Sequence, residues 1–225
     1  MTRIEARTRP GRWFLAFEAN AIAVLLGLMT LVTFVNVVLR YGFGTSLLWG
    51  IEVTLTLFAW LVLLGISHCI AIGAHLGVDV VTAMLPPRAR RTVAVVAGVL
   101  CIAYAFLLLK GAWDYWAPYA GLERTAGRWF PLGFEATRDQ AWYESDRIPM
   151  LGIFRWLEPV INQGEPYEKL PRVVPYSVLP LAMLLILVRF VIVTIEIWRG
   201  ERDGLIVSHE VEDELAARTA PAEER

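Results

Sequence analysis

The sequence contains few charged residues and only two cysteines, and both facts exclude several classes of protein. Of its 225 residues only 19% are charged, with 21 Lys and Arg against 22 Asp and Glu. Nucleic-acid binders carry a basic excess and disordered chains a high net charge, so both classes are excluded. The two cysteines, Cys69 and Cys101, lie inside apolar runs and supply neither a disulfide framework nor a zinc cluster.

Catalytic signatures are missing as well. The chain has no nucleophile elbow, phosphate-binding loop, dinucleotide fingerprint or pair of catalytic carboxylates. His68 and His75 are seven residues apart, which would suit a haem or metal on one helix face, but the third histidine, His209, lies in the tail. Because no acid stands near His68 in the sequence, we expect no metal, no cofactor and no enzyme activity. A redox membrane protein stays as an alternative.

What the sequence has in plenty is apolar residues, 56% of the chain, gathered into four runs. The runs are Asn20–Leu39, Leu47–Ile72, Thr92–Leu109 and Val174–Trp198. Twenty helical residues span about 30 Å, the thickness of a bilayer's hydrocarbon core. The first run is too long for a cleaved signal peptide and no cleavage site follows it. The sequence therefore predicts an all-α membrane protein with four transmembrane helices and a long outer segment between the third and the fourth.

Arginines near the helix ends predict the orientation. They precede the first run, separate the second from the third, and follow the fourth: Arg3, Arg7, Arg9, Arg12, Arg88, Arg90, Arg91, Arg199 and Arg202. Such residues stay in the cytoplasm, which places both termini there. The predicted units are a cytoplasmic segment 1–18, helices one to three in 19–112, an outer segment 113–173, helix four in 174–198 and an acidic cytoplasmic tail 199–225.

The outer segment is rich in aromatic residues, with five of the nine tryptophans. Aromatic side chains favour the membrane interface, so this segment would lie on the lipid and cap the helices. Exposed tryptophans also anchor protein interfaces, and Trp129, Trp142 and Trp156 are our candidates for docking a soluble partner. Residues Met150 to Val160 are expected to form a short amphipathic helix.

We single out four polar residues inside or at the end of the predicted spans, namely Asn36, Arg40, Glu52 and Arg189. Charges at membrane depth are costly and are functional candidates. A Glu52–Arg40 pair would neutralise both charges and clamp the first two helices, with a role in moving ions or substrate as the alternative. Arg189 would snorkel to the inner surface or pair with Glu18 or Glu196, the latter lying near the interface and needing no partner. Asn36 would form a hydrogen bond between helices.

Four helices with so few polar groups inside the membrane are poorly suited to conduct a polar solute. A secondary transporter needs internal repeats, broken helices and polar sites at the membrane midplane, none of which is evident. We therefore expect that the chain does not transport a solute by itself, although a small self-sufficient transporter or channel remains an alternative.

The run from Asn36 to Glu52, which contains Arg40 and Trp49, resembles the first hairpin of the small permease subunit of tripartite ATP-independent periplasmic (TRAP) transporters, the DctQ-like family. Further matching positions are Trp60, Gly65, His75, Gly77 and Asp79. The resemblance is close over about residues 14 to 91. Two positions depart from it: Ile51 stands where many members have an acid, and Ile72–Gly73 where many have an arginine.

The resemblance implies a division of labour among three proteins. A large permease subunit carries the substrate and sodium sites, and a periplasmic substrate-binding protein captures the solute. The small subunit braces the large one in the bacterial inner membrane and helps to dock the binding protein, with membrane lipid as its other partner and no nucleic acid. The long outer segment, periplasmic in this family, is most similar to the subgroup that acts on C4-dicarboxylates by symport.

Overall fold

Four long helices dominate the computed structural model, which describes residues 9–73, 85–131, 133–134 and 137–201. In chain order the elements are α1 (Arg9–Phe43), α2 (Gly50–Ile72), α3 (Pro87–Trp116), a 3-10 helix (Ala117–Ala120), β1 (Glu144–Pro149), a 3-10 helix (Gly152–Phe154), α4 (Leu157–Ile161), β2 (Lys169–Pro171), α5 (Val173–Tyr176) and α6 (Val178–Arg199). Helices α1, α2, α3 and α6 are each long and apolar enough to cross a membrane. The predicted all-α class with four transmembrane helices is therefore confirmed.

Two of these helices are longer than their apolar runs. Helix α1 has 35 residues and α3 has 30, which corresponds to about 52 and 45 Å at 1.5 Å per residue. Both exceed a hydrocarbon core of about 30 Å. A helix satisfies its own backbone hydrogen bonds in lipid and in water alike, so it continues beyond the apolar residues that mark the membrane.

The helix ends follow from backbone chemistry. Pro87 begins α3, where the missing N–H of a proline has no partner to lose. Gly73 and Gly200 terminate α2 and α6 with φ of 74° and 77°. These left-handed conformations favour glycine, and the cap N–H groups return to carbonyls of the last turn.

The four helices pack in a row rather than as a closed bundle. The extensive contacts join α1 to α2, α2 to α6, and α6 to α3. Helix α6 is the most buried of the four and α1 the least. The buried side chains of α6 recur every three or four residues, at Ala182, Ile186, Arg189, Val193 and Ile197. A row has two broad sides, so each helix keeps large apolar side chains exposed, among them Phe34, Phe58, Leu100 and Leu181.

Helices α3 and α6 approach each other closely at a glycine. A Cβ atom on Gly98 of α3 would lie 2.4 Å from Oγ1 of Thr194 on α6. A small residue here lets two helix backbones come together, which substitutes for the hydrophobic driving force that is weak inside lipid.

The chain between α3 and α6 contains two short strands that the sequence did not predict. Strand β1 pairs with β2 in antiparallel register, with Glu144 opposite Pro171 and Pro149 opposite Lys169. Tyr119, Leu157 and Val173 form a small core beneath them. The helix expected from Met150 to Val160 is wrong in extent: the backbone of Leu151 is extended, so only the short 3-10 turn and α4 form.

Candidate functional site

A buried ionic cluster joins three of the long helices. Glu18 of α1 and Arg189 of α6 are each 1% exposed. Nη2 of Arg189 donates to Oε2 of Glu18 at 2.6 Å, and the same oxygen lies 3.2 Å from Nδ1 of His68 on α2. The Arg189 guanidinium also donates to the carbonyl of Ser67 and lies 6.0 Å from the ring centroid of Phe14. Glu18 is one of the two acids expected to pair with Arg189.

The electrostatics of this cluster depend on burial. A charge in a low-dielectric interior is costly unless it is paired and hydrogen-bonded. Glu18 and Arg189 meet both conditions with each other, and Ser67 and His68 supply further partners from α2. Helix α1 is thereby tied to α6, with which it has no extensive packing.

Two expectations at this end of the row are corrected. The sequence places no acid near His68, but Glu18 reaches it across fifty positions of the chain. Glu196, expected at the interface, is 0% exposed. It lies three positions after Val193 and directly before Ile197, both of which are buried, so it faces the packed side of α6.

Arg91 of α3 binds the end of α6. Its Nε donates to the carbonyl of Ile197 at 3.1 Å, and Nη2 donates to the carbonyl of Trp198. The last carbonyls of a helix lack intrahelical donors, and the helix dipole makes this end negative. One of the arginines that predicts the orientation therefore also fixes α3 against α6.

At the opposite end of the row, Glu52 binds the backbone of β1 instead of Arg40. Its two carboxylate oxygens accept the N–H groups of Asp146 and Arg147 at 2.9 and 2.7 Å. The expected Glu52–Arg40 pair is wrong. The backbone donors fit both carboxylate oxygens at once, and no acid lies within salt-bridge distance of Arg40 in the part of the chain that the structure describes.

The connection between α1 and α2 is held by Asn36. Its Oδ1 accepts the N–H of Leu47 at 3.0 Å, so it fixes the hairpin loop rather than a neighbouring helix. Trp49 is the N-cap of α2 and makes no side-chain cap hydrogen bond. Gly65 faces open space on α2, since nothing lies within 4 Å of a Cβ placed there.

A cavity of about 230 Å³ lies beside Glu52, between α2, β1 and α5. Arg172 closes it from the side of the strands. Its Nε donates to the carbonyl of Glu144 at 2.8 Å, and Nη2 lies 3.2 Å from Oδ1 of Asp146. Glu52 and Arg172 thus both bind residues of strand β1.

Two tryptophans hold the start of the last helical stretch. Nε1 of Trp60 donates to the carbonyl of Pro175 at 2.9 Å, and Nε1 of Trp116 donates to that of Val173 at 3.0 Å. These two indole bonds join α2 and the end of α3 to the backbone that precedes α6. The resemblance marked Trp60, but its partner 115 positions away carries no sequence signal.

Tyr167 is the central buried residue of the segment that carries the strands. It is 3% exposed, and its hydroxyl donates to the carbonyl of Ala141 at 2.6 Å. Burial first, and then the carboxylates of Glu144 and Glu158, raise the pKa of Tyr167 to about 12. The hydroxyl therefore stays a donor throughout the physiological range.

The three tryptophans proposed for docking are all exposed on this segment. Trp129 is 66%, Trp142 53% and Trp156 62% exposed. Trp129 stacks at 6.4 Å on Phe106 of α3, whereas Trp142 packs at 4.3 Å against Tyr143. Leu151, Ile153 and Val160, which are close to Trp156 in the sequence, are exposed as well. Trp129 is therefore placed against a membrane-spanning helix, and Trp142 and Trp156 belong to the segment itself.

Three residues of the family motif, His75, Gly77 and Asp79, lie outside the described residues. Within the described ranges, no group of three or more His, Cys, Asp or Glu side chains has the arrangement of a metal site. Sequence reasoning missed the Glu52–backbone contact, the role of His68 and the strands, because each depends on groups far apart in the chain.

Comparison with known proteins finds one family and named relatives. The family described as tripartite ATP-independent periplasmic transporters, DctQ component, matches residues 29–131. The C4-dicarboxylate TRAP transporter small permease protein DctQ of Vibrio cholerae is 39% identical over 217 residues, 96% of this chain and 86% of that protein. The protein of the same name from Pseudomonas aeruginosa is 34% identical over 125 residues, 44% of this chain and 60% of that protein. No solved structure matches significantly.

The family match covers the end of α1, all of α2 and α3, and the hairpin loop that Asn36 fixes. The Vibrio cholerae relative extends it to almost the whole chain. This chain belongs to the DctQ family, the small permease components of tripartite ATP-independent periplasmic transporters.

Proposed function

We propose that this chain braces the large permease subunit of a TRAP transporter and helps to dock the substrate-binding protein during ion-coupled uptake of an organic acid. The observation that carries this proposal is the row of four helices. A row encloses no conduit, and it leaves large apolar side chains exposed on every helix. Such a protein contributes surface to a larger assembly, while the solute path belongs to a partner.

The proposed location is the bacterial inner membrane, with several spans and both termini in the cytoplasm. The arginines at the start of α3 and at the end of α6 support this orientation, since basic residues next to spans stay inside. Residues 113–173 are then periplasmic, on the side where a binding protein arrives.

The docking surface that we propose consists of Trp142, Trp156 and the apolar residues near Trp156. These side chains are exposed on a segment outside the long helices. Exposed tryptophans commonly contribute most of the binding energy of an interface. The hydrogen bonds of Glu52 and Arg172 with β1 position this segment next to α2.

The substrate class that we propose is the C4-dicarboxylates. Both relatives described above are named for C4-dicarboxylate transport, and one of them aligns with 96% of this chain. The choice among malate, succinate and fumarate would rest with the partner proteins.

Reconstitution into proteoliposomes tests the proposal. Vesicles would hold the large subunit with or without this chain, and receive the cognate binding protein, labelled succinate and an inward sodium gradient. We expect uptake only when all three proteins and the gradient are present. Uptake by the large subunit without this chain would overturn the bracing role, and uptake by this chain alone would establish a self-sufficient transporter instead.

A further inference from the structure

A second cavity carries two positively charged groups that none of the roles above uses. It has a volume of about 450 Å³ and lies between the end of α1, the loop to α2, and β1. Its lining includes Arg40, Arg147, Asn36, Thr45 and Ser46. No acidic residue is among the described residues that line it.

The two arginines lack an acidic partner. Neither Arg40 nor Arg147 has a carboxylate within 4.0 Å in the described ranges. The nearby acid Glu52 uses both of its oxygens on backbone N–H groups of β1. Arg147 is thus brought beside Arg40 by its backbone, and two like charges in one cavity repel each other unless an anion sits between them.

The loop adds hydrogen-bond donors suited to an anion. Thr45 and Ser46, whose hydroxyl groups can donate hydrogen bonds, are among the residues that line the cavity. Asn36 holds the loop in place through the N–H of Leu47. Two guanidinium groups and two hydroxyls form a set that matches the oxygens of a phosphate, which arginine binds through charge-assisted, often bidentate, hydrogen bonds.

The depth of the cavity identifies the source of the phosphate. Arg40 follows the apolar run Asn20–Leu39, which spans about one hydrocarbon core. Around the cavity, Tyr41, Phe43 and Leu48 are 83%, 75% and 69% exposed. Exposed aromatic and aliphatic side chains at a helix end are typical of the level of lipid headgroups.

We infer that this cavity binds the phosphate group of an anionic membrane phospholipid, with Arg40 and Arg147 as its two cationic contacts. A lipid with one net negative charge, such as phosphatidylglycerol, offsets one of the two arginine charges and reduces their mutual repulsion. A choline headgroup would place a further positive charge beside it. The bound lipid would join the helix hairpin α1–α2 to the strand above it.

The test is a lipid titration of the transporter complex purified in mild detergent and depleted of lipid. Short-chain phosphatidylglycerol, short-chain phosphatidylcholine and inorganic phosphate are added separately, and bound lipid is counted by native mass spectrometry. We expect phosphatidylglycerol to bind more tightly than phosphatidylcholine. Arg40→Gln or Arg147→Gln should weaken that binding by about tenfold, the effect of losing one charge-assisted contact.

Arg128→Gln is the matched control, because Arg128 is exposed on the same side of the molecule and does not line the cavity. It should change binding by less than about twofold. Equal binding of the two lipids by the wild-type complex would overturn the inference, and this result needs no variant to fold. Equal effects of all three substitutions would also overturn it. Competition by millimolar inorganic phosphate would show a soluble-anion site, and no lipid binding in the complex would show a cavity closed by the partner; either result would overturn the inference.

Discussion

Two glutamates at opposite ends of the helix row are stabilised by different kinds of partner. Glu18 is almost fully buried and is neutralised by Arg189 and contacted by His68, so it joins three helices. Glu52 is half-buried and is bound by two backbone N–H groups of β1. The first glutamate holds helices together, and the second holds the strands onto the helices.

Because the partners differ, the loss of each glutamate should destabilise the protein by a different amount. Removing one member of a buried ion pair is strongly destabilising, because the other member stays charged and desolvated. A carboxylate bound to backbone N–H groups leaves no buried cation behind when it is lost. We therefore expect damage at Glu18 to be global and damage at Glu52 to be confined to the strands.

The largest effect is expected for Glu18→Ala. The substitution leaves Arg189 buried without its carboxylate, which costs roughly 3–5 kcal/mol. We expect a marked loss of folded protein in the membrane and a lower unfolding temperature in detergent, both measured against Glu165→Ala, which removes an exposed acid.

The double variant Glu18→Ala/Arg189→Met sharpens this prediction. Replacing a buried ion pair by apolar side chains is often neutral, so the double variant should recover much of the lost stability. Wild-type stability of Glu18→Ala alone would show that the buried cluster does not hold α1 to α6.

A smaller and local effect is expected for Glu52→Gln. Glutamine keeps one acceptor but loses the negative charge, which weakens the contact with β1 by about 1.5–3 kcal/mol. Hydrogen exchange of the Asp146 and Arg147 amides should become faster, while amides in the middle of α2 and α6 should keep their protection. A global loss of stability equal to that of Glu18→Ala would break the distinction between the two glutamates.

Replacement of the exposed tryptophans should affect docking without affecting folding. Trp142→Ala and Trp156→Ala are each expected to raise the binding-protein concentration needed for half-maximal uptake by about tenfold, as for an interface anchor. The control is Trp13→Ala, since Trp13 is 70% exposed on α1, away from this segment. Unchanged uptake by both variants would argue against the docking role.

The smallest effect is a pH dependence confined to the segment of the strands. Tyrosine in an unfolded chain has a pKa near 10, and that of Tyr167 in the folded protein is about 12. Below pH 10 both states hold the proton, so the stabilisation is complete. Between pH 10 and 12 the unfolded state loses its proton first, and stability falls as pH rises. Tyr167→Phe should remove this slope, which hydrogen exchange of residues 141–168 would reveal.

The sequence predicts the four spans well because a membrane imposes a length and a composition that are local properties. The sequence also predicted Glu18 as one of two possible partners of Arg189, because a buried cation needs an acid and Glu18 and Glu196 both lie near the predicted inner ends of their helices. The family motif was legible in the run around Arg40 and Trp49.

The remaining contacts were beyond local reasoning. Glu52 binds backbone N–H groups of β1, and every residue except proline has such a group, so no side-chain pattern marks the partner. Strand β1 has six residues whose burial does not strictly alternate, and β2 has only three, so neither shows the alternating pattern that predicts a strand. The row order of the helices depends on where Gly98 and Arg91 meet α6, which only the folded chain shows.

The measurement that tests the bracing role most directly is co-purification. The chain would carry a tag at its C-terminus, native membranes would be extracted in mild detergent after gentle cross-linking, and mass spectrometry would identify the partners. We predict a large multi-helix permease at about one copy per copy of this chain, retained by the Trp156→Ala variant and lost with Glu18→Ala. Recovery of the chain alone, even after cross-linking, would contradict its role as the brace of a larger transporter.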